Sequence, residues 1–132
     1  MVNPKISGID PLLIEQLKSS YANVAVIDSN ELYLEVIRDL LLFVTANAVA
    51  IGCKESFSDS LKDDSYDLYF VDIECCEYSD IYNQLSQKDA KVVFTFSSKK
   101  EKQIFEQGCS VEHKYIQKPF NIKKLLKLLS SL

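Results

Sequence analysis

Short apolar runs along this chain repeatedly end in a polar residue and give way to an amphipathic stretch. Asn23 to Ile27 (NVAVI) is β-branched and apolar, Asp28-Ser29-Asn30 follows, and Glu31 to about Val44 has helical periodicity. The pattern recurs with Asp67 to Val71 (DLYFV) before Asp72, Lys91 to Phe96 (KVVFTF) before Ser97-Ser98, and Lys114 to Gln117 (KYIQ) before Lys118-Pro119. A further strand is expected over Ala48 to Ile51, with a helix over roughly Ser56 to Leu61. The strand runs are almost wholly apolar rather than alternating, as a parallel sheet covered on both faces requires. Five βα units follow, and the expected fold class is α/β, a doubly wound five-stranded parallel sheet.

The ends of the chain extend this picture. Asn121 is placed to cap a last helix in which Ile122, Leu125, Leu126, Leu129 and Leu132 share one face. Before the first strand, Asp10-Pro11 reads as an N-cap followed by proline in the first turn, and Leu12, Leu13, Ile14 and Leu17 give this helix an apolar side. That side suits either a patch on its own domain or a dimer contact. The expected division is an N-terminal extension over residues 1 to 21 and one domain over 22 to 132.

Composition narrows the function classes. With 47% hydrophobic residues among 132, one continuous core needs neither disulfide nor metal. No stretch approaches the roughly 18 uninterrupted apolar residues of a membrane span, and MVNPKISGID lacks the features of a signal peptide, so a cytoplasmic location is expected. Cys53, Cys75, Cys76 and Cys109 form no CxxC pair, and reduced thiols fit such a location. The net charge of −4 conceals an asymmetry: from Lys91 onward nine Lys face three Glu, a net of +6, while residues 1 to 90 carry −10. These lysines are scattered without interleaved exposed aromatics, which argues for solvated faces and against nucleic-acid binding.

In an open parallel sheet, reactive groups gather at the carboxyl ends of the strands where strand order reverses. Asp28, Ser29, Asp72, Ser97, Ser98 and Lys118 therefore converge. Two carboxylates in a partly buried pocket repel each other, and a hard divalent cation such as Mg²⁺ relieves that repulsion. A lysine ammonium and a serine hydroxyl beside them suit the oxygens of a phosphoryl group, so the pocket suits an aspartyl phosphate.

From about Asn23 to Leu132 the chain resembles the receiver domain of bacterial two-component response regulators. VAVIDSNELYLEVIRDLL is similar to its first strand and helix, YDLYFVDIE to its third strand with the phosphoacceptor, and YIQKPF, the most specific match, to its fifth strand. The resemblance implies the flavodoxin-like strand order 2-1-3-4-5, with Asp72 as phosphoacceptor, Lys118 as phosphate contact and Tyr115 as aromatic switch. It implies a Mg²⁺ site from Asp28, Asp72 and the carbonyl of Glu74, and a cis bond at Lys118-Pro119. Counting back from Lys118 by family spacing lands on Phe96, whereas the strand end lands on Ser97; Ser97 is the expected switch hydroxyl, with a longer connection near Cys109 to Glu112. Two departures stand out. Asp28-Ser29 replaces a pair of consecutive acids, and Cys75-Cys76-Glu77-Tyr78-Ser79-Asp80 replaces a turn containing proline and glycine.

The leading expectation is a non-enzymatic phosphorelay switch: Asp72 takes a phosphoryl group from a histidine kinase or phosphotransfer protein, and the chain changes the face it shows a downstream protein. That face comprises the helix after the fourth strand, the fifth strand and the last helix, with Lys99, Lys100, Lys123 and Lys124; a homodimer is a further possible partner. The alternative is a pseudo-receiver, an unphosphorylated binding or dimerising module marked by Ser29. A flavodoxin-like or nucleotide-dependent enzyme is disfavoured, because Asp28-Ser29-Asn30-Glu31 is acidic and holds none of the three glycines, Gly8, Gly52 and Gly108. Cys75 and Cys76 read as inert thiols, and His113, with no His or Cys partner at ligand spacing, as a loop residue.

Overall fold

The computed structural model describes residues 10–52, 66–77, 85, 91–109 and 112–132. Five strands, β1 (Asn23–Asp28), β2 (Asn47–Gly52), β3 (Leu68–Asp72), β4 (Lys91–Phe96) and β5 (Lys114–Gln117), form one sheet in the order β2-β1-β3-β4-β5. Every pairing is parallel. The described helices are α1 (Pro11–Ser20), α2 (Glu31–Leu41), α3 (Lys99–Gln107) and α4 (Ile122–Ser130), and a 3-10 turn, Ile73–Glu77, follows β3. The doubly wound sheet expected from the apolar runs is thus present. The helix expected over Ser56 to Leu61 lies outside the described residues.

Alternation along each strand divides the core in two. Val24 and Val26 of β1, Leu68 and Phe70 of β3, Val93 of β4 and Ile116 of β5 join Leu34, Ile37 and Leu41 of α2 and Leu125, Leu126 and Leu129 of α4 on one face. Ala25, Ile27, Tyr69, Val71, Phe94 and Phe96 pack on the other, with Phe105 of α3 and Tyr115 against them. β3 is buried along its whole length, which is why its sequence shows no polar alternation. The N-terminal helix sets Leu13, Ile14 and Leu17 against the first cluster, so its apolar side covers its own domain. Among the described residues, no helix is long and apolar enough to cross a membrane.

Caps fix where helices begin. Asp10, Asn30, Ser98 and Asn121 each accept a backbone N–H in the first turn that follows. The helix expected to reach about Val44 ends at Leu41. Beyond it the amides of Phe43 and Val44 donate to the carbonyls three residues back, and the Thr45 hydroxyl takes the Leu41 carbonyl at 2.8 Å. Asp67, read from its sequence as the start of β3, instead accepts the Asn23 amide on its carboxylate at 3.0 Å and anchors the strand's entry.

Candidate functional site

The site lies at the carboxyl ends of β1, β3 and β5, on the face that carries α2 and α4. Alternation carries Asp28 onto this face after Val24 and Val26, and Asp72 after Leu68 and Phe70. The pairing of Ile27 with Val71 then sets the two aspartates side by side. Lys118 arrives from the end of β5, its backbone amide donating to the Phe96 carbonyl at 2.7 Å, and its peptide bond to Pro119 is cis.

Lys118 Nζ donates to Asp28 Oδ2 at 2.8 Å and lies 3.5 Å from Asp72 Oδ2. All three residues are buried: Asp28 is 0% exposed, Asp72 3% and Lys118 5%. The second oxygens are also held, Asp28 Oδ1 by the Asn30 amide at 2.8 Å and Asp72 Oδ1 by the Glu74 amide at 3.3 Å. One ammonium thus faces two carboxylates in a place where water is scarce. Burial raises the Asp72 pKa, the neighbouring Asp28 raises it further, and Lys118 with the Glu74 amide only partly opposes them, leaving it at about 6. For Lys118 burial acts downward, but its bonds to Asp28 and Asp72 outweigh it and lift the ammonium above its ordinary value.

The donor set is of the hard-oxygen kind that Mg²⁺ takes, and one or two carboxylates completed by phosphate oxygens and water are enough for that ion. Among the described residues, no group of three or more His, Cys, Asp or Glu side chains could hold a metal without such completion. Ser29 is exposed, and Glu74 exposes its side chain while its amide donates to Asp72. The residues present therefore fit a cation that shares its shell with a phosphoryl group.

The other sequence-derived candidates lie apart from this trio. Ser97 sits one residue past β4, exposed, with its backbone carbonyl accepting from Gln117 Nε2 at 3.1 Å. Among the described residues no hydrogen bond joins its hydroxyl to Asp72 or Lys118. Ser98 caps α3, its hydroxyl accepting the Glu101 amide at 3.4 Å. Tyr115 belongs to the opposite face, where its ring meets Phe94, Phe96 and Phe105 and Lys102 Nζ lies 4.8 Å from its centroid. His113 packs edge-on against Phe94, and its burial lowers its pKa. Cys75 is buried.

Two neighbours escaped the sequence reading. Thr95 is buried and pairs in register with Asp72, so the hydroxyl of β4 nearest Asp72 by sheet geometry precedes Ser97 by two residues. Only the register of β3 against β4 reveals it. Tyr33, in the first turn of α2, places its ring centroid 4.4 Å from Lys118 Nζ. Its spacing, five residues after Asp28 at the start of a helix that leaves the site, was the available signal.

Solved structures with this architecture were found by comparison of folds. A CheY-like response regulator receiver domain from Methylobacillus flagellatus superposes with a TM-score of 0.67 at 20% identity, covering 85% of this chain and 98% of that one. The chemotaxis protein CheY4 of Vibrio cholerae gives 0.60 at 18%, covering 83% and 97%. A variant of the anti-anti-sigma factor PhyR from Bartonella quintana gives 0.65 at 19%, covering 90% of this chain and 50% of that one. No protein-family model matches the sequence, and no curated protein sequence matches it. At these identities the likeness is one of fold: the chain has the fold of a response-regulator receiver domain.

Proposed function

We propose that the chain is a phosphorylation switch in which Asp72 accepts a phosphoryl group from the phosphohistidine of a histidine kinase or phosphotransfer protein. The observation that carries this reading is the buried Asp28–Lys118–Asp72 group at the carboxyl ends of β1, β3 and β5, with Lys118 Nζ within 3.5 Å of both carboxylates. In the transfer, an Asp72 oxygen forms a bond to phosphorus as the phosphorus–nitrogen bond breaks, and the imidazole leaves with that electron pair and takes up a proton. Lys118 presents positive charge to the phosphoryl oxygens, and the Glu74 amide fixes the other carboxylate oxygen.

Asp28, Asp72 and the Glu74 carbonyl would hold Mg²⁺, which when bound neutralises charge on the transferred oxygens. A resting pocket of two carboxylates and one ammonium carries an excess of one negative charge, and phosphorylation of Asp72 adds to it. Thr95 beside Asp72 offers a buried hydroxyl in addition to Ser97. The change would reach a protein partner through Tyr115 and the surface of α3, β5 and α4, where Lys99, Lys100, Lys123 and Lys124 are exposed.

A second reading is supported by the exposed Ser29 and by the lack, among the described residues, of a third acidic metal ligand. In it the fold is a pseudo-receiver that binds a protein partner or a second copy without phosphorylation. Two-dimensional amide NMR with Mg²⁺, before and after beryllofluoride, distinguishes the two. The switch reading expects shifts at Asp28, Asp72 and Lys118 that reach Tyr115 and α4 and are abolished in Asp72→Asn. A wild-type spectrum unmoved at saturating metal and fluoride would leave the pseudo-receiver.

A further inference from the structure

Lys118 has three ammonium N–H donors, and among the described residues two carboxylates receive them. One bond goes to Asp28 at 2.8 Å, and Asp72 is the weaker partner at 3.5 Å. Ser29, next to Asp28, is exposed and brings no charge to the ammonium. A buried ammonium is costly unless its surroundings compensate the charge, and the side chain of Lys118 is only 3% exposed. What lies beside it is the ring of Tyr33, at 4.4 Å from centroid to Nζ.

The ring is held there by a closed circuit. Asp28 Oδ1 accepts the Asn30 amide, and Asn30 Oδ1 in turn accepts the amides of Leu32 at 2.9 Å and Tyr33 at 3.3 Å, fixing the first turn of α2. Tyr33 then covers Lys118, whose strongest bond returns to Asp28. A single aspartate therefore sets both the lysine and the aromatic group above it.

We propose that Tyr33 is a positioning residue for Lys118, the negative face of its ring adding to the two carboxylates and keeping the ammonium aimed at Asp72. The proposal rests on the phosphoacceptor reading given above for its functional consequence, though not for the contact itself. Without the ring the ammonium is held by the two carboxylates alone, and the positive charge offered to the phosphoryl oxygens is less firmly placed during transfer. An aromatic ring without a hydroxyl serves equally, because the attraction comes from the ring quadrupole. An aliphatic side chain of similar bulk does not.

The test compares wild type with Tyr33→Phe, Tyr33→Leu and Tyr33→Ala, each first shown to unfold in one cooperative thermal transition. Acetyl phosphate with Mg²⁺ serves as donor: the Asp72 oxygen bonds to phosphorus while the phosphorus–oxygen bond to acetate breaks, acetate leaving with the electron pair. Phosphorylation of Tyr33→Phe should match wild type, and that of Tyr33→Leu and Tyr33→Ala should be roughly tenfold slower, as expected for loss of a desolvated cation–π contact. In parallel, the Lys118 Cε protons should carry an upfield ring-current shift in wild type and Tyr33→Phe that is lost in Tyr33→Leu. A leucine variant as fast as wild type, or a phenylalanine variant as slow as alanine, overturns the proposal. If wild type takes up no phosphoryl group, the switch reading fails, and the Lys118 proton shifts still decide whether Tyr33 holds the lysine.

Discussion

Two lysines near the carboxyl edge of the sheet each meet a carboxylate and an aromatic ring, and they differ in burial. Lys118 is closed in by Asp28, Asp72 and the Tyr33 ring, with a side chain 3% exposed. Lys102, on the opposite face, lies 4.8 Å from the Tyr115 ring and 5.5 Å from that of Phe96, and pairs with Glu106 at 3.0 Å, but its side chain is 31% exposed. The contacts are of the same kinds. What separates them is water, which screens the surface pair and is scarce around the buried one, so that equal geometry has unequal consequences. A reactive centre can be built from the first arrangement, whereas the second mainly steadies a helix against a strand.

The largest effect should come from breaking the buried side. Lys118→Met leaves two carboxylates in the core without a cation, and a loss of about 3–5 kcal/mol is expected in denaturant titrations at pH 7. That loss should shrink on acidification, because Asp72 already has its pKa at about 6 and would protonate even more readily without Lys118 opposing its burial.

Asp72→Asn acts in the opposite direction. The folded-state pKa of Asp72 lies above its unfolded value of 3.8, so the folded form binds the proton more tightly, and stability falls as pH rises from about 4 through about 6. An asparagine escapes this, and the variant should be more stable than wild type by roughly 1–2 kcal/mol at pH 7, the difference closing below pH 4. Thermal melts across this range check the sign, and the variant should take up no phosphoryl group. Equal pH profiles for the two proteins would contradict the electrostatic account of the pocket.

Asn30→Ala tests the circuit from outside the charged trio. Loss of the cap on α2 should destabilise by about 1 kcal/mol in chemical denaturation and weaken the Lys118 ring-current shift, since the turn that carries Tyr33 loses its anchor. The smallest effect is expected for Lys102→Ala, under about 1 kcal/mol and diminished by salt, as an exposed pair and a surface cation–π contact imply. A loss from Lys102→Ala as large as that from Lys118→Met would remove the distinction between the two sites.

Several boundaries could be read from residue order because local physics sets them. The strands KVVFTF and KYIQ occur as expected, since apolar β-branched and aromatic runs bounded by polar residues have few other ways to be buried. Asp10 and Asn121 mark helix starts as expected because capping is a contact over two or three residues. Fold class and the convergence of Asp28, Asp72 and Lys118 also follow from the chain, because strand ends in a parallel sheet share one edge.

One local feature was hidden by the helical periodicity: the helix after β1 stops short as the Thr45 hydroxyl donates to the Leu41 carbonyl and the chain turns toward β2. Other features depend on residues far apart in sequence. Thr95 is set beside Asp72 by the register of two strands, and a shift of one residue would put it on the other face. Tyr33 meets Lys118 across 85 positions of chain only when α2 packs on the sheet. The residues alone therefore determined the five strands and the acids and base at the strand ends. Register and helix docking decided which hydroxyl and which ring stand next to that charge, because such neighbours are chosen by packing in three dimensions and leave no periodic trace in one.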